Sequence, residues 1–397
     1  MSTVFTKKNK PFKAVSQKVK LFRANDPLLS VFMWGINHSF QELSHVNVPV
    51  MLLPDDFKAY TKTRKDNHLF NKENMPSHFK VKEYCPLVFR NLRERFALDE
   101  IDYMNSLTKS QPVHTDSPGR SGAKFYHSYD KRFVVKTLMS EEVEQLHHIL
   151  REYHEYIVVR DADTLLPHYL GMYRVTVNDT ETYLLVMRNV FSPRLPVHRK
   201  YDLKGSTVDR QASDKEKAKS FPTFKDNDFI RDEGVVDIGN DSKEKLMERI
   251  ISDAEFLSKH NLMDYSLLIG IHDLDRGEVE ESGETPEEEN GCDDDDANSV
   301  GSAGSAPDSP GNCAPLNPFT GELDPTIEIF GIQSREDSEK KLIYFMAIID
   351  ILTHYGMKKR TAQAAKSVKH GPGAEISTVK PEQYKVRFLE FVSKNIQ

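Results

Sequence analysis

The chain has 397 residues, a net charge of −7 and 29% charged residues. That is the composition of a globular protein with room for one large domain or two lobes, each with its own core. No apolar run approaches the roughly 18 residues of a membrane span, and three cysteines, Cys85, Cys292 and Cys313, have neither metal-ligand spacing nor the pattern of a disulfide framework.

The N-terminal residues 1–26 form an arm whose basic character rests on Lys7, Lys8, Lys10, Lys13, Lys18, Lys20 and Arg23. No apolar core follows the lysines, so no secretory signal is expected, and the chain reads as a reduced cytoplasmic or nuclear protein that is at most peripheral to a membrane. "PLLSVFMWGINHSFQEL" (27–43), with Trp34, reads as a core helix or a self-association surface. At 117–136, "SPGRSGAKFYHSYDKRFVVK" is a small-residue turn holding Gly119 and Gly122, then an alternation that predicts a hairpin ending at Lys136. A helix follows. Ser140 is its candidate cap, Glu141 and Glu142 suit its first turn, and Val143, Leu146, Leu150, Tyr153 and Ile157 make an apolar stripe. "GMYRVTVNDTETYLLVMRNVF" (171–191) predicts two strands around an Asn178-Asp179 turn. A second helix is expected over about 242–259, running into a turn and a buried strand in "HNLMDYSLLIGIHD" (260–273). Residues 277–320 carry twelve acids and no Lys or Arg, and read as a disordered insert, because so few apolar residues cannot offset ordering entropy. Without them the remainder is +5, which favours anionic partners. "KLIYFMAIIDIL" (341–352) reads as another buried strand, and Pro381 opens a helix bearing Tyr384, Phe388, Phe391, Val392 and Ile396.

The order of these parts points to nucleotide-dependent phosphoryl transfer. Such a reaction needs backbone N–H groups in a glycine turn over phosphates, a Lys to neutralise them, one Asp to orient or deprotonate the attacking hydroxyl, and another to hold Mg²⁺. Gly119 and Gly122, Lys136, Asp264 and Asp350 occur in that order. Each alone has a plainer reading: a turn, a snorkelling lysine, a helix-end aspartate, a strand-end aspartate facing solvent. Asp350 is the sharpest, since a carboxylate set among Ile348, Ile349, Ile351 and Leu352 is costly to bury unpaired. "HRKYDLKGSTVDR" (198–210) adds Arg199, Lys200, Lys204 and Arg210 around Gly205, either an exposed basic turn or an anion site.

"VHRKYDLKGST", "MDYSLLIGIHD", "YFMAIIDILT" and "KSVKHGPGAEISTVKPEQY" resemble the phosphatidylinositol phosphate kinases, and among them the type II kinases acting on the 4-hydroxyl of phosphatidylinositol 5-phosphate. The resemblance covers roughly residue 27 to the C-terminus. It implies an α+β, two-lobed fold distantly similar to protein kinases, with antiparallel sheets, flanking helices and a flat basic face for membranes. The N-lobe would span about 27–190 and the C-lobe about 191–397, with residues 357–379 as the activation loop. By the same resemblance, ATP (in some members GTP) and Mg²⁺ are the cofactors. Lys136 would hold nucleotide phosphates, Asp264 would be the catalytic aspartate and Asp350 the metal ligand. The base would lie near Arg188, Asn189, Val190, Phe191 and Lys200, and the lipid phosphate would meet Lys204 and Arg210. The family implies a homodimer through the N-lobe, and a heterodimer with related lipid kinases is a further possibility.

Within 357–379, Lys358, Lys359, Arg360, Lys366 and Lys369 have no acid among them, and each could gain about 1 kcal/mol near an anionic leaflet. Ala362 stands where the type I relatives, which act on the 5-hydroxyl, carry an acid. Met187 stands where members that use GTP well carry Thr, and a thioether cannot replace a hydroxyl's hydrogen bond. A low-activity subtype also has Met there, so a phosphoinositide-binding scaffold is the rival from another class. Nucleic acid is not an expected partner, for the basic segments lack a recognition motif or interleaved aromatics.

Overall fold

The computed structural model describes residues 24–46, 49, 51–68, 74–115, 122–282, 319–356 and 379–397. Most of the basic arm, Gly119, nearly all of the acidic insert and residues 357–378 lie outside the described residues.

Two sheets organise the chain. The first uses β1 (Tyr60–Lys65), β2 (Phe79–Tyr84), β3 (Val113–Thr115), β4 (Phe125–His127), β5 (Phe133–Leu138), β6 (Tyr169–Val177) and β7 (Thr180–Arg188), in the order β1-β2-β6-β7-β5-β4-β3. The second uses β8 (Arg199–Leu203), β9 (Thr223–Lys225), β10 (Ser266–Asp273), β11 (Gly331–Gln333) and β12 (Leu342–Ile349), in the order β11-β12-β10-β8-β9. Every pairing is antiparallel except β8 with β9. Helices flank both sheets, so the architecture is the α+β one that the sequence implies.

Local chemistry explains the elements. Asn178 (φ 48°) and Asp179 (φ 58°) close the β6–β7 hairpin, since two consecutive left-handed residues match the twist of a tight hairpin. Helix α1 (Pro27–Ser44) starts where the Asp26 carboxylate accepts the Leu28 and Leu29 N–H groups. It is a core helix: Val31, Phe32 and Ile36 are buried, and Trp34 is half-buried with its ring edge-on to Phe79. Helices α2 (Pro86–Arg95) and α3 (Glu100–Thr108) follow β2. In α4 (Ser140–Val159), Ser140 is the first helical residue and not the cap. Glu142 satisfies the N-terminus instead, its Oε2 accepting the Met139 N–H at 2.8 Å. The hairpin before it runs past Lys136 to Leu138.

In the second half, α5 (Asp214–Lys217) and α6 (Asp226–Arg231) flank β9, α7 (Asn240–Lys259) precedes β10, and α8 (Leu274–Ser282) follows it. The last helix, α9 (Pro381–Asn395), buries Tyr384, Phe388 and Val392, each stabilising the fold by about 1.5–3 kcal/mol.

One buried carboxylate ties the two halves together. Asp253, on α7, accepts hydrogen bonds from Thr164 Oγ1 (2.6 Å), Tyr156 Oη (2.7 Å) and the Leu165 N–H (2.7 Å). The Leu165 carbonyl in turn accepts the Ile348 N–H from β12 at 2.8 Å. Burial pushes the Asp253 carboxyl up to about 6, against the pull of those three donors. A raised acid contributes stability that is fully present below its unfolded value and lost as pH rises through about 6. Asp253→Asn removes this dependence. The stability gap between wild type and variant should therefore narrow by up to about 3 kcal/mol between pH 4 and pH 7, as measured by urea unfolding at the two pH values.

Candidate active site

Strands β10 and β12 bring two aspartates to one end of the second sheet. Ser266 pairs with Ile349, and beyond them Leu262 bridges His354. Between these pairs, residues 263–265 face residues 350–353, one residue more on the β12 side. That surplus is a bulge, a device that re-aims side chains next to functional sites. Asp264 (φ 65°) and Asp350 (φ 59°) both lie within it in the left-handed region, which Asp tolerates better than most residues.

Asp350 differs from the sequence expectation in one respect. Ile348 and Ile351 are buried, but the Asp350 carboxylate is 53% exposed. What singles it out is its partner, not its burial. Lys136 Nζ, from β5 of the first sheet, lies 3.2 Å from Asp350 Oδ1 and 3.4 Å from Glu142 Oε1. Burial works against the Lys136 ammonium, yet the Asp350 and Glu142 carboxylates outweigh it and hold the pKa above the ordinary lysine value. Glu142 thus caps α4 with one oxygen and steers Lys136 with the other. The sequence marked Glu142 only as a first-turn acid.

Asp264 has its own cation. Lys204, just past β8, donates to Asp264 Oδ1 at 2.9 Å and to the Asp264 carbonyl. Arg210 is drawn elsewhere: its Nη2 meets Asp202 Oδ1 at 2.7 Å and its Nε meets Asp226 Oδ2 at 2.7 Å. Burial pushes the Asp202 carboxyl up, but Arg210 and Lys204 hold it below the usual range.

Between the sheets runs the segment Arg188–Phe191. Arg188 turns inward, donating to the Thr326 carbonyl (2.8 Å) and the Phe96 carbonyl (3.1 Å). Burial, helped by Arg132, lowers its pKa to about 10. Asn189 donates to the Lys131 carbonyl and accepts the Phe191 N–H. These two residues therefore shape the segment, and Val190 and Phe191 pack with Leu195, Ile343 and Phe345. Phe191 lies over Gly270 so closely that a Cβ there would collide with its ring. Lys200 Nζ sits 4.2 Å above the Phe221 ring, and burial brings its pKa down to about 8 against the pull of Glu216. Gly122 (φ 68°) opens the approach to β4. Gly119 and the cations Lys358, Lys359, Arg360, Lys366 and Lys369, with Ala362, lie outside the described residues.

The chain also matches known proteins over most of its length. The profile of the family described as Phosphatidylinositol-4-phosphate 5-Kinase matches residues 106–395. Phosphatidylinositol 5-phosphate 4-kinase type-2 alpha of Gallus gallus is 61% identical over 383 residues, 96% of this chain and 94% of that one. The Homo sapiens type-2 alpha protein is 59% identical over 395 residues, 98% of this chain and 97% of that one. The Homo sapiens type-2 beta protein is 59% identical over 384 residues, 96% and 92% of the two chains.

The chain belongs to the phosphatidylinositol phosphate kinase family.

In this kinase the segment after the acidic insert braces the residues that join the two sheets. Glu328, wholly buried, accepts from Ser192 Oγ (2.8 Å), Arg194 Nε (2.8 Å) and the Asp324 N–H (2.7 Å). No sequence signal marked Glu328, because its side-chain partners Ser192 and Arg194 lie about 135 positions away. A cavity of about 150 Å³ between α2 and α4, lined in part by Leu52, Leu87, Asn91 and His154, shares no residue with this site. Glu328→Ala removes the buried carboxylate that accepts from Ser192, Arg194 and Asp324 and should cost about 3–5 kcal/mol, read as a lowered urea midpoint at unchanged m.

Proposed function

We propose that this kinase transfers the γ-phosphate of ATP to the 4-hydroxyl of phosphatidylinositol 5-phosphate, giving phosphatidylinositol 4,5-bisphosphate. The observation that carries it is the meeting of Lys136 with Asp350 across the two sheets, in a chain 59–61% identical to three type-2 kinases over nearly its whole length. The sheets correspond to an N-lobe of about 27–190 and a C-lobe of about 191–397.

In this reading Lys136, steered by Glu142, neutralises nucleotide phosphates, and Gly119 and Gly122 offer backbone N–H groups above them. Asp264 orients the lipid hydroxyl and takes its proton, while Lys204 pairs with that carboxylate. Lys204 also lies where the lipid phosphate arrives. Arg210, already held by Asp202 and Asp226, serves the lipid by ordering that loop. Val190 and Phe191 form an apolar wall for the base, and Lys200 lies beside it. Asp350 suits Mg²⁺. Among the described residues no three His, Cys, Asp or Glu side chains gather around a metal position, but a nucleotide-borne Mg²⁺ needs only one or two carboxylates. Bound Mg²⁺ would neutralise the charge that develops on the phosphates. Met187 argues for ATP over GTP.

Membrane docking has support on the first sheet, where Lys62, Lys82 and Arg174 stand in register on three adjacent strands. Like charges opposite one another are unfavourable, and burial, Arg174 and Lys62 all lower the Lys82 pKa. An anionic leaflet relieves that repulsion. Among the described residues no helix is long and apolar enough to cross a membrane, in keeping with a peripheral mode. Strand β1, outermost in its sheet and largely exposed, is the edge on which a homodimer, or a heterodimer with a related lipid kinase, would build.

The direct test follows labelled phosphate from ATP, and separately GTP, into vesicles bearing phosphatidylinositol 5-phosphate or 4-phosphate, with Asp350→Asn as the blank. Asp350-dependent labelling of the 5-phosphate is expected, with ATP preferred. Tight vesicle binding with labelling no better than the blank would favour the scaffold instead. In the same assay Ala362→Glu should move relative kcat/KM towards phosphatidylinositol 4-phosphate by about tenfold or more, and unchanged preference would remove residue 362 from lipid selection.

A further inference from the structure

Asp226 enters the reading above only as a partner of Arg210, yet its carboxylate accepts four hydrogen bonds. It is fully buried at the start of α6. Its Oδ1 accepts three consecutive backbone N–H groups: Lys204 (2.9 Å), Gly205 (2.8 Å) and Ser206 (3.3 Å). Its Oδ2 takes Arg210 Nε at 2.7 Å. Successive N–H groups converging on one point form a backbone nest, a concavity that binds anions. Here the anion is built in. Gly205, with φ at 65°, supplies the turn, and a Cβ on it would come within 3.0 Å of the Arg387 carbonyl and the Phe391 side chain. The loop is therefore fixed from inside by a charge and from outside by α9.

The residue that opens this loop is Lys204, whose ammonium meets Asp264 at 2.9 Å. A lysine side chain alone is a poor positioning device, because its four-carbon stem has many rotamers. Fixing its backbone removes one source of that freedom. We propose that Asp226 is a positioning residue for phosphoryl transfer: by clamping the N–H groups of residues 204–206 it sets Lys204 against Asp264. Arg210 completes the clamp, linking Asp226 to Asp202 on β8. The inference rests on the reading of Asp264 as the group that takes the hydroxyl proton.

The test uses the full chain on vesicles bearing phosphatidylinositol 5-phosphate. Asp226→Asn keeps one oxygen for the nest but turns an amide N–H₂ towards Arg210. Expected are a lowered melting transition, an ATP KM near wild type and a kcat lowered about 10- to 100-fold. Gly205→Ala attacks the same loop from the other side and should give the same split between kcat and KM. A folded Asp226→Asn enzyme with wild-type kcat overturns the inference. So does joint loss of melting temperature, ATP affinity and kcat in Asp226→Asn while Gly205→Ala keeps wild-type kcat. Two parallel variants separate this from failure of the underlying reading. If Lys204→Met lowers kcat and Asp226→Asn does not, the clamp alone is wrong. If Asp264→Asn transfers phosphate at the wild-type rate, the base assignment is wrong.

Discussion

The arrangement of this kinase depends on one ammonium group. Lys136 sits on the first sheet, and its two carboxylate partners come from elsewhere: Glu142 from the helix that follows it, and Asp350 from the end of the second sheet. Burial of that Lys side chain disfavours its charge, and the two carboxylates more than restore it. Its position thus demands that α4 dock closely on β5 and that the two sheets keep a fixed separation. Breaking either contact leaves a largely buried cation, so the junction is held by a penalty as much as by an attraction.

Three buried carboxylates brace the segments around that junction, and they share a design. Asp226, Asp253 and Glu328 are all shielded from solvent, and each accepts backbone N–H groups as well as side-chain donors. Asp253 fixes the segment before β6 to α7, Glu328 fixes the connection between the sheets, and Asp226 fixes the loop after β8. A carboxylate with both oxygens occupied orders several loop residues at once. That matters because these loops have little apolar surface of their own to bury. The cost is desolvation, visible in the raised carboxyl of Asp253. Where a guanidinium or ammonium stands close, as at Asp202, the carboxyl is held low instead.

The regular elements were legible in the sequence because their signals are local. The apolar stripes of α4, α7 and α9, the Asn178-Asp179 turn and the buried runs of β10 and β12 each fit within about 20 residues, the range over which periodicity works. So were the order of the candidate groups and the family. The partners were not legible. Lys136 and Asp350 are 214 positions apart, and Glu328 lies 136 from Ser192. Nothing local distinguishes a carboxylate that will accept three backbone N–H groups from one that will face solvent. Asp226 sits in "FKDNDF", which reads as a polar turn. Arg210 shows the converse limit, for a cation in a basic stretch invites an anionic ligand, while its measure here is set by Asp202 and Asp226. The same limit applied at Asp350, where flanking isoleucines implied burial of a side chain that the bulge turns outward.

That bulge explains why aspartate, and not glutamate, stands at both positions. Asp264 and Asp350 occupy left-handed backbone conformations, which cost most side chains about 1–3 kcal/mol and which Asp and Asn adopt more readily. The strain is offset by the β10–β12 ladder, which runs unbroken over eight pairs from Ser266–Ile349 to Asp273–Leu342. Pairing resumes at the far edge of the bulge, where the Met263 N–H reaches the Thr353 carbonyl. The short side chain therefore meets two demands at one residue: a carboxylate at the seam between the sheets, and a backbone that can turn there. Asn keeps the turn and removes the charge, whereas Glu keeps the charge and strains the turn. Loss of function on an Asp-to-Asn change thus reports on charge, and loss on an Asp-to-Glu change reports on geometry. The two substitutions together separate the chemistry of this site from the fold that presents it.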